Sequence, residues 1–296
     1  MEADHHSRRY AIEQKVGEGS FGQVFRARDR QHGHVVALKK VRIRDVRMLP
    51  AAALRELLAL QQISHPNVLE LLGQYTHGAN LVLVMPFLPL SLATVLEQQH
   101  LPMPSERVRE IAIMLLSGLV ACHESDLVHR DIKPANLLID AHGRLQIADF
   151  GQSRLLPKDA GGSLTAQVAT RWYRAPELLF GSRYYGKGVD IWASGCVIAQ
   201  LWSISPLLPG DSDLDQIFQV LLLLGSPSEA NWPGVTLMPD FHKLELPRCQ
   251  PKPMRRVLPY APSSAVDLVS KMICYDPKAR VSANDALSHA WLAGGL

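Results

Sequence analysis

Gln23-Val24-Phe25-Arg26-Ala27, with Val24, Phe25 and Ala27 apolar among polar neighbours, reads as a strand. Tyr10 to Val16 is strand-like as well, and the glycine-rich run 17–22 between the two predicts a β-hairpin. Val35-Val36-Ala37-Leu38-Lys39 predicts a third strand that ends in a lysine, and Leu81-Val82-Leu83-Val84-Met85 another strand. Pro50 opens a helix at its first turn, where a missing N–H costs nothing. Leu54, Leu57, Leu58 and Leu60 give that helix more than one apolar stripe. One stripe suffices to pack a helix, so the surplus predicts a partner on the second face. Ser105 reads as a helix cap, followed by a helical face of Val108, Ile111, Ala112, Leu115, Leu116 and Leu119. Leu137-Leu138-Ile139 and Leu145-Gln146-Ile147 flank the turn Asp140-Ala141-His142-Gly143, a second hairpin signal. The longest apolar stretch, Ile191 to Leu208, is interrupted by Gln200, serines and Pro206, which predicts a buried core helix and not a membrane span.

Composition narrows the class. The 296 residues are 47% apolar and 20% charged, the balance of a globular chain large enough for two lobes with real cores. A net charge of +3 is too small to argue for nucleic acid. The four cysteines are scattered, without a CxxC pair, so neither a zinc site nor a disulfide framework is expected. Reduced thiols fit the cytoplasm or nucleus. Met1 to Arg9 is polar, with no apolar core of a signal peptide.

The chemistry is concentrated in His129-Arg130-Asp131-Ile132-Lys133-Pro134-Ala135-Asn136, which holds a candidate base, a phosphate contact and a metal ligand. Asp149-Phe150-Gly151 adds a second metal-ligand candidate, and closing the hairpin between them places Asn136 opposite Asp149. Two oxygen ligands facing one point suit a hard cation such as Mg²⁺, with phosphate oxygens completing the shell. Gly17-Glu18-Gly19-Ser20-Phe21-Gly22-Gln23-Val24 is a G-x-G-x-x-G-x-V run, whose glycines let backbone approach a phosphate closely. A dinucleotide fold would open a helix at the third glycine, whereas this chain continues as a strand. Lys39, beside a nucleotide, needs a carboxylate to hold it, and Glu56 on the following helix is the candidate.

The glycine loop, the Val-Ala-Leu-Lys strand, the His-Arg-Asp loop, Asp-Phe-Gly and Ala175-Pro176-Glu177 together resemble the eukaryotic protein kinase set, in order and at family-like spacing from about Tyr10 to Leu292. The resemblance implies an α+β bilobal fold: a tail over 1–9, a small, mostly β N-lobe with one key helix over 10–86, a hinge over 86–91, and a larger, mostly α C-lobe over 92–292. Lys133 resembles the lysine of Ser/Thr kinases. Thr170-Arg171-Trp172-Tyr173-Arg174-Ala175-Pro176-Glu177, the stretch from Leu207 to Gly234 and the helix opening Pro50-Ala51-Ala52-Ala53-Leu54-Arg55-Glu56 resemble the cyclin-dependent group, and Gln167-Val168-Ala169-Thr170-Arg171-Trp172 is most similar to its cell-cycle-related branch.

The kinase resemblance implies ATP and Mg²⁺ as cofactors and a role for each residue. Asp131 is the catalytic base and Lys133 neutralises the γ-phosphate. Asn136 and Asp149 hold the metal; Lys39 contacts the phosphates and Glu56 orients it. Val16, Gly17, Glu18, Gly19, Ser20, Phe21 and Gly22 cover the nucleotide. Val24, Ala37 and Leu138 sandwich the adenine beside Met85, and Leu88 reads its edge with backbone groups. Thr165 is the activating phosphorylation site, gripped by Arg55, Arg130 and Arg154. Asp190 braces the catalytic loop, and Glu177 pairs with Arg280. Arg174 turns a backbone carbonyl away from the substrate, which favours proline after the phosphoacceptor because proline has no N–H to leave unpaired. The expected partners are a protein substrate with Ser/Thr-Pro sites, a cyclin-like activator and an upstream kinase for Thr165, with no nucleic acid and no membrane.

Two departures from the group stand out. Ser20-Phe21 replaces Thr-Tyr, and Gln152-Ser153 follows Asp-Phe-Gly in place of Leu-Ala. The rival is a pseudokinase scaffold that binds nucleotide and partners without catalysis. Such proteins lose the lysine, the base or the metal ligand, all of which are present here.

Overall fold

The computed structural model describes residues 9–19, 22–43, 49–156, 164, 170–203 and 205–294. Its N-terminal part is a five-stranded sheet in the order β1-β2-β3-β5-β4, formed by Tyr10–Gly19, Gly22–Asp29, Val35–Arg42, Gly73–His77 and Asn80–Pro86 as β1 to β5. All neighbours run antiparallel. β3 and β5, in the middle, are apolar on both faces, and the period of two sorts their residues. Val36 and Leu38 join Ala27, Val82 and Val84 in a small core on one face of the sheet. Ala37, Lys39 and Val41 fall on the other face, towards helix α1 (Ala51–Gln62). Pro50 is the N-cap of α1 and not its first helical residue: its carbonyl accepts from Leu54 N at 3.0 Å.

The main core runs from α1 and the inner sheet face through the helical C-terminal part. Short strands β6 (Leu90–Ser91), β8 (Leu137–Ile139) and β9 (Leu145–Ile147) form one ribbon there, and β7 (Leu127–Val128) pairs with β10 (Arg154–Leu155). The helices follow as α2 (Leu92–Glu97), α3 (Ser105–Glu124), α4 (Pro176–Leu179), α5 (Gly188–Leu201), α6 (Asp213–Leu224), α7 (Met254–Val257), α8 (Ser263–Met272), α9 (Ala283–Leu287) and α10 (Ala290–Ala293). α3 buries all six residues of its expected face. Its N-cap is Pro104, whose carbonyl accepts from Val108 N at 3.0 Å, so Ser105 is already helical. The Ser105 hydroxyl serves Trp202 Nε1 instead, at 3.3 Å. α5 is buried on every side from Val189 to Leu201, as a helix apolar all round must be. It stops short of the predicted stretch, with Trp202 as C-cap, ahead of the break at Pro206. Among the described residues no helix is long and apolar enough to cross a membrane.

Candidate active site

The catalytic loop hangs from β7 and is braced from beneath by α5. His129 N and Arg130 N donate to the two carboxylate oxygens of Asp190, each at 2.8 Å, and the His123 ring adds a contact at 3.0 Å. Burial works against the charge of Asp190, but His123, His129 and the Arg130 amide outweigh it and hold its pKa below the ordinary carboxylate value. Arg130 takes a left-handed backbone (φ 68°), strain that this clamp on two successive amides maintains. Asp131 N donates to His129 Nδ1 at 3.2 Å, which leaves Nε2 to donate to Ala148 O at 3.0 Å. The same imidazole meets Phe150 edge-on, with ring centroids 4.8 Å apart. One histidine thereby ties the His-Arg-Asp loop to Asp-Phe-Gly.

Asp131 is held from three directions. Its Oδ2 accepts from Asn136 Nδ2 at 3.0 Å and lies 2.8 Å from Lys133 Nζ. Its Oδ1 accepts from Thr170 N at 3.0 Å and from Thr170 Oγ1 at 3.2 Å. Lys133 Nζ also donates to Thr170 Oγ1, at 2.8 Å. Thr170 is thus a site residue that the sequence did not single out. The run from Thr170 to Arg174 does not mark that contact, because Thr170 meets Asp131 only through the fold.

The hairpin β8–β9 forms as expected, with a register one residue off. Leu137 pairs with Ile147, so Asn136 lies opposite Ala148, whose N–H donates to Asn136 O at 2.9 Å. Asp149 then leaves the ladder through a left-handed backbone (φ 61°), and its carboxylate meets Lys39 Nζ at 2.9 Å. Lys39 Nζ also donates to both carboxylate oxygens of Glu56, at 2.7 Å each. Burial acts to lower the pKa of the Lys39 ammonium. The charges and hydrogen bonds of Glu56 and Asp149 overcome it and raise the pKa above its ordinary value. Asp149 is shifted the other way: burial opposes its charge, but Lys39 prevails and lowers its pKa.

These groups open on a cleft of about 520 Å³ between the sheet and the helical part. Val16, Gly17, Glu18, Gly22 and Val24 form its roof; Lys39, Glu56, Asn136 and Asp149 line its inner end. Ala37, Met85, Leu88 and Leu138 line it where the adenine is expected, joined by Pro86 and by Leu69 and Ala148, which sequence reasoning missed. Gly19 pairs with Gly22 at the tip of the β1–β2 hairpin. A side chain at Gly22 would collide with Lys40 O, and the residue takes φ 153°, so glycine is required there. Ser20, Phe21 and Thr165 lie outside the described residues, as does the tail 1–8.

Arg55, Arg130 and Arg154 come together as a cluster of like charge. The Arg55 pKa is lowered by burial first and then by the charges of Arg130 and Arg154. Arg130 is also anchored to Gln152 O at 2.6 Å and to Tyr185 OH at 2.9 Å. Leu164, the neighbour of Thr165, is buried and donates its N–H to Arg183 O at 2.8 Å. Glu177 and Arg280 form the expected buried pair, with two contacts of 2.7 Å. Arg174 Nη1 meets Asp213 Oδ1 at 3.1 Å; residues 165–169, just ahead of this segment, lie outside the described residues.

Fold and site together define a protein kinase, and comparison with known sequences agrees: the Protein kinase domain family matches residues 10–292. Cyclin-dependent kinase 20 of Rattus norvegicus is 45% identical over 284 residues, which cover 95% of this chain and 82% of the rat protein. The Homo sapiens protein of that name is 43% identical over the same shares. Cyclin-dependent kinase D-1 of Arabidopsis thaliana is 39% identical over 285 residues, 96% of this chain and 71% of the plant protein. The chain belongs to the cyclin-dependent kinase family of eukaryotic protein kinases.

Proposed function

We propose that this kinase transfers the γ-phosphate of ATP to serine or threonine hydroxyls followed by proline, once a cyclin-like partner and phosphorylation of Thr165 have completed it. The convergence of Asp131, Lys133 and Asn136 beside the Lys39–Glu56–Asp149 group carries the proposal.

The residues present fit MgATP. Asn136 commits its amide nitrogen to Asp131 O at 2.9 Å and Oδ2 at 3.0 Å, which leaves its amide oxygen as a ligand. That oxygen and the Asp149 carboxylate are the hard donors magnesium prefers. Bound MgATP supplies the transferable phosphoryl group and the metal's charge. Lys39 holds a fixed positive charge at the inner end of the cleft, and Glu56 keeps it there. Asp131 orients the substrate hydroxyl and takes up its proton on a carboxylate oxygen, while Lys133 places a second positive charge beside it. No side chain acts as a nucleophile, so rate enhancement comes from positioning and charge. Pro86 O and the backbone of Leu88 present hydrogen-bonding groups to the adenine edge.

Regulation is supported by two unfinished surfaces. Three clustered arginines suit the nearly two negative charges of a phosphothreonine. On α1, Leu57 and Leu60 are buried (7% and 5% exposed), whereas Leu54 and Leu58 are 42% and 52% exposed. The relatives are cyclin-dependent kinases, which makes a cyclin-like protein the occupant for that outer face. Thr165→Ala is expected to lower peptide phosphorylation on the order of tenfold relative to phosphorylated wild type. Equal rates for the two would rule out the Thr165 switch. A peptide array with no preference for proline after the phosphoacceptor would rule out the substrate class.

A further inference from the structure

The chain leaving the catalytic centre makes a single tight turn at Arg171–Tyr173, and its side chains divide between core and surface. Tyr173 points inward, its hydroxyl donating to Gln200 Oε1 at 2.7 Å. Arg171, Trp172 and the following Arg174 reach the short loop ahead of α6 and the first residue of that helix, Asp213. Arg171 Nη1 donates to Asp211 O at 3.0 Å, and Trp172 Nε1 to Gly210 O at 3.1 Å. Arg171 Nε and Arg174 Nη1 donate to the same oxygen, Asp213 Oδ1, at 3.0 and 3.1 Å.

The loop that receives them is itself held. Ser212 Oγ caps α6 by accepting from Asp215 N at 3.0 Å, and Asp215 Oδ2 accepts in return from Asp211 N at 2.9 Å. Gly210 N donates to Gln216 Oε1 at 3.1 Å. A Cβ at Gly210 would lie 2.6 Å from the Gln216 backbone, so the loop packs against the helix as closely as glycine allows.

We infer that Asp213 is the positioning residue of the substrate wall. A hydroxyl presented to Asp131 lies beside Thr170, which Asp131 and Lys133 hold directly. The residue that follows the phosphoacceptor must therefore lie along the chain from Thr170 to Arg174. Asp213 sets where that chain stands by gathering two of its guanidinium groups on one carboxylate oxygen. It touches neither the nucleotide cleft nor Asp131. Its effect falls on how the residue after the phosphoacceptor is accepted, and the ATP site is left alone. The inference rests on the proline-directed substrate proposed above.

The test measures kcat/KM of the full chain, in its most active preparation, for two peptides that differ only in Pro or Ala after the serine. The ratio of the two values is internal to each preparation, so loss of folded protein cancels. Asp213→Asn keeps the size and removes the charge. It is expected to cut the Pro/Ala ratio by about fivefold, the scale of an exposed ion-pair cluster, through the peptide KM and with the ATP KM unchanged. Asp213→Glu restores the charge and is expected to recover part of the ratio. A wild type that prefers proline, with the same ratio in Asp213→Asn, overturns the inference and leaves the substrate class standing. Equal loss in both variants overturns it too, because a charge-bearing anchor would then have no advantage. A wild type indifferent to proline defeats the substrate class itself, and the role of Asp213 falls with it.

Discussion

The floor of the cleft and the outer side of α1 are built on opposite terms. On the floor, buried charges are met within the chain: Asp190 clamps two backbone amides, Lys39 lies between two carboxylates, and Glu177, beyond the cleft, is matched by Arg280. Around α1, like charges gather at Arg55, Arg130 and Arg154, and Leu54 and Leu58 face outward. The named floor groups are paired within the chain, whereas the α1 side exposes two leucines and gathers like charges. On the function proposed above, chemistry and its control fall on different regions, and they can be separated by substitution.

Arg280→Met should have the largest effect, because it strands the Glu177 carboxylate in the interior. Breaking a buried pair by removing one partner costs about 3–5 kcal/mol, to be read as a lower urea midpoint. A variant as stable as wild type would show that the floor does not depend on this pair. Replacing Leu54 and Leu58 together by Ser should act in the opposite pattern: stability within about 0.5 kcal/mol of wild type, and affinity for the activating partner lower by about 2 kcal/mol. Calorimetric titration with the partner would detect this, and unchanged affinity would place the partner elsewhere. The smallest effect is expected at Ser153, whose buried hydroxyl has no hydrogen-bond partner among the described residues. Ser153→Ala removes that stranded group and should stabilise the fold by about 1 kcal/mol. A lower melting temperature would mean the hydroxyl is satisfied after all.

The elements that the sequence revealed best were those with a strong local period. The strand β2, the paired runs of β8 and β9 and the six-residue face of α3 all appear where expected. Failures came where one residue decides the geometry. The register of the β8–β9 hairpin is set by its turn, closed by Asp140 N donating to Arg144 O at 3.0 Å, and the turn residues alone did not reveal that closure, so the expected pairing was off by one. Pro50 and Pro104 cap their helices through carbonyls, a role that reads in sequence as the first helical position of α1 or as a residue ahead of a Ser cap. The site itself was legible because Lys39, Asp131, Asn136 and Asp149 sit in recognisable motifs. Thr170 was not, since it lies 39 residues from Asp131 and meets it only in the folded chain. The apolar lining of the cleft was legible only through the family resemblance, because Ala37, Met85 and Leu138 look like any core residues.

The decisive measurement is transfer of labelled γ-phosphate from MgATP to a Ser-Pro peptide by the full chain with its activating partner, set beside Asp131→Asn. Asparagine keeps the shape of the floor and removes the proton acceptor. Wild type is predicted to label the peptide, and the variant to be slower by about 10²–10⁴-fold while binding nucleotide equally well. Nucleotide binding without transfer in wild type, or equal transfer in both proteins, would contradict the assignment of the floor as a catalytic centre.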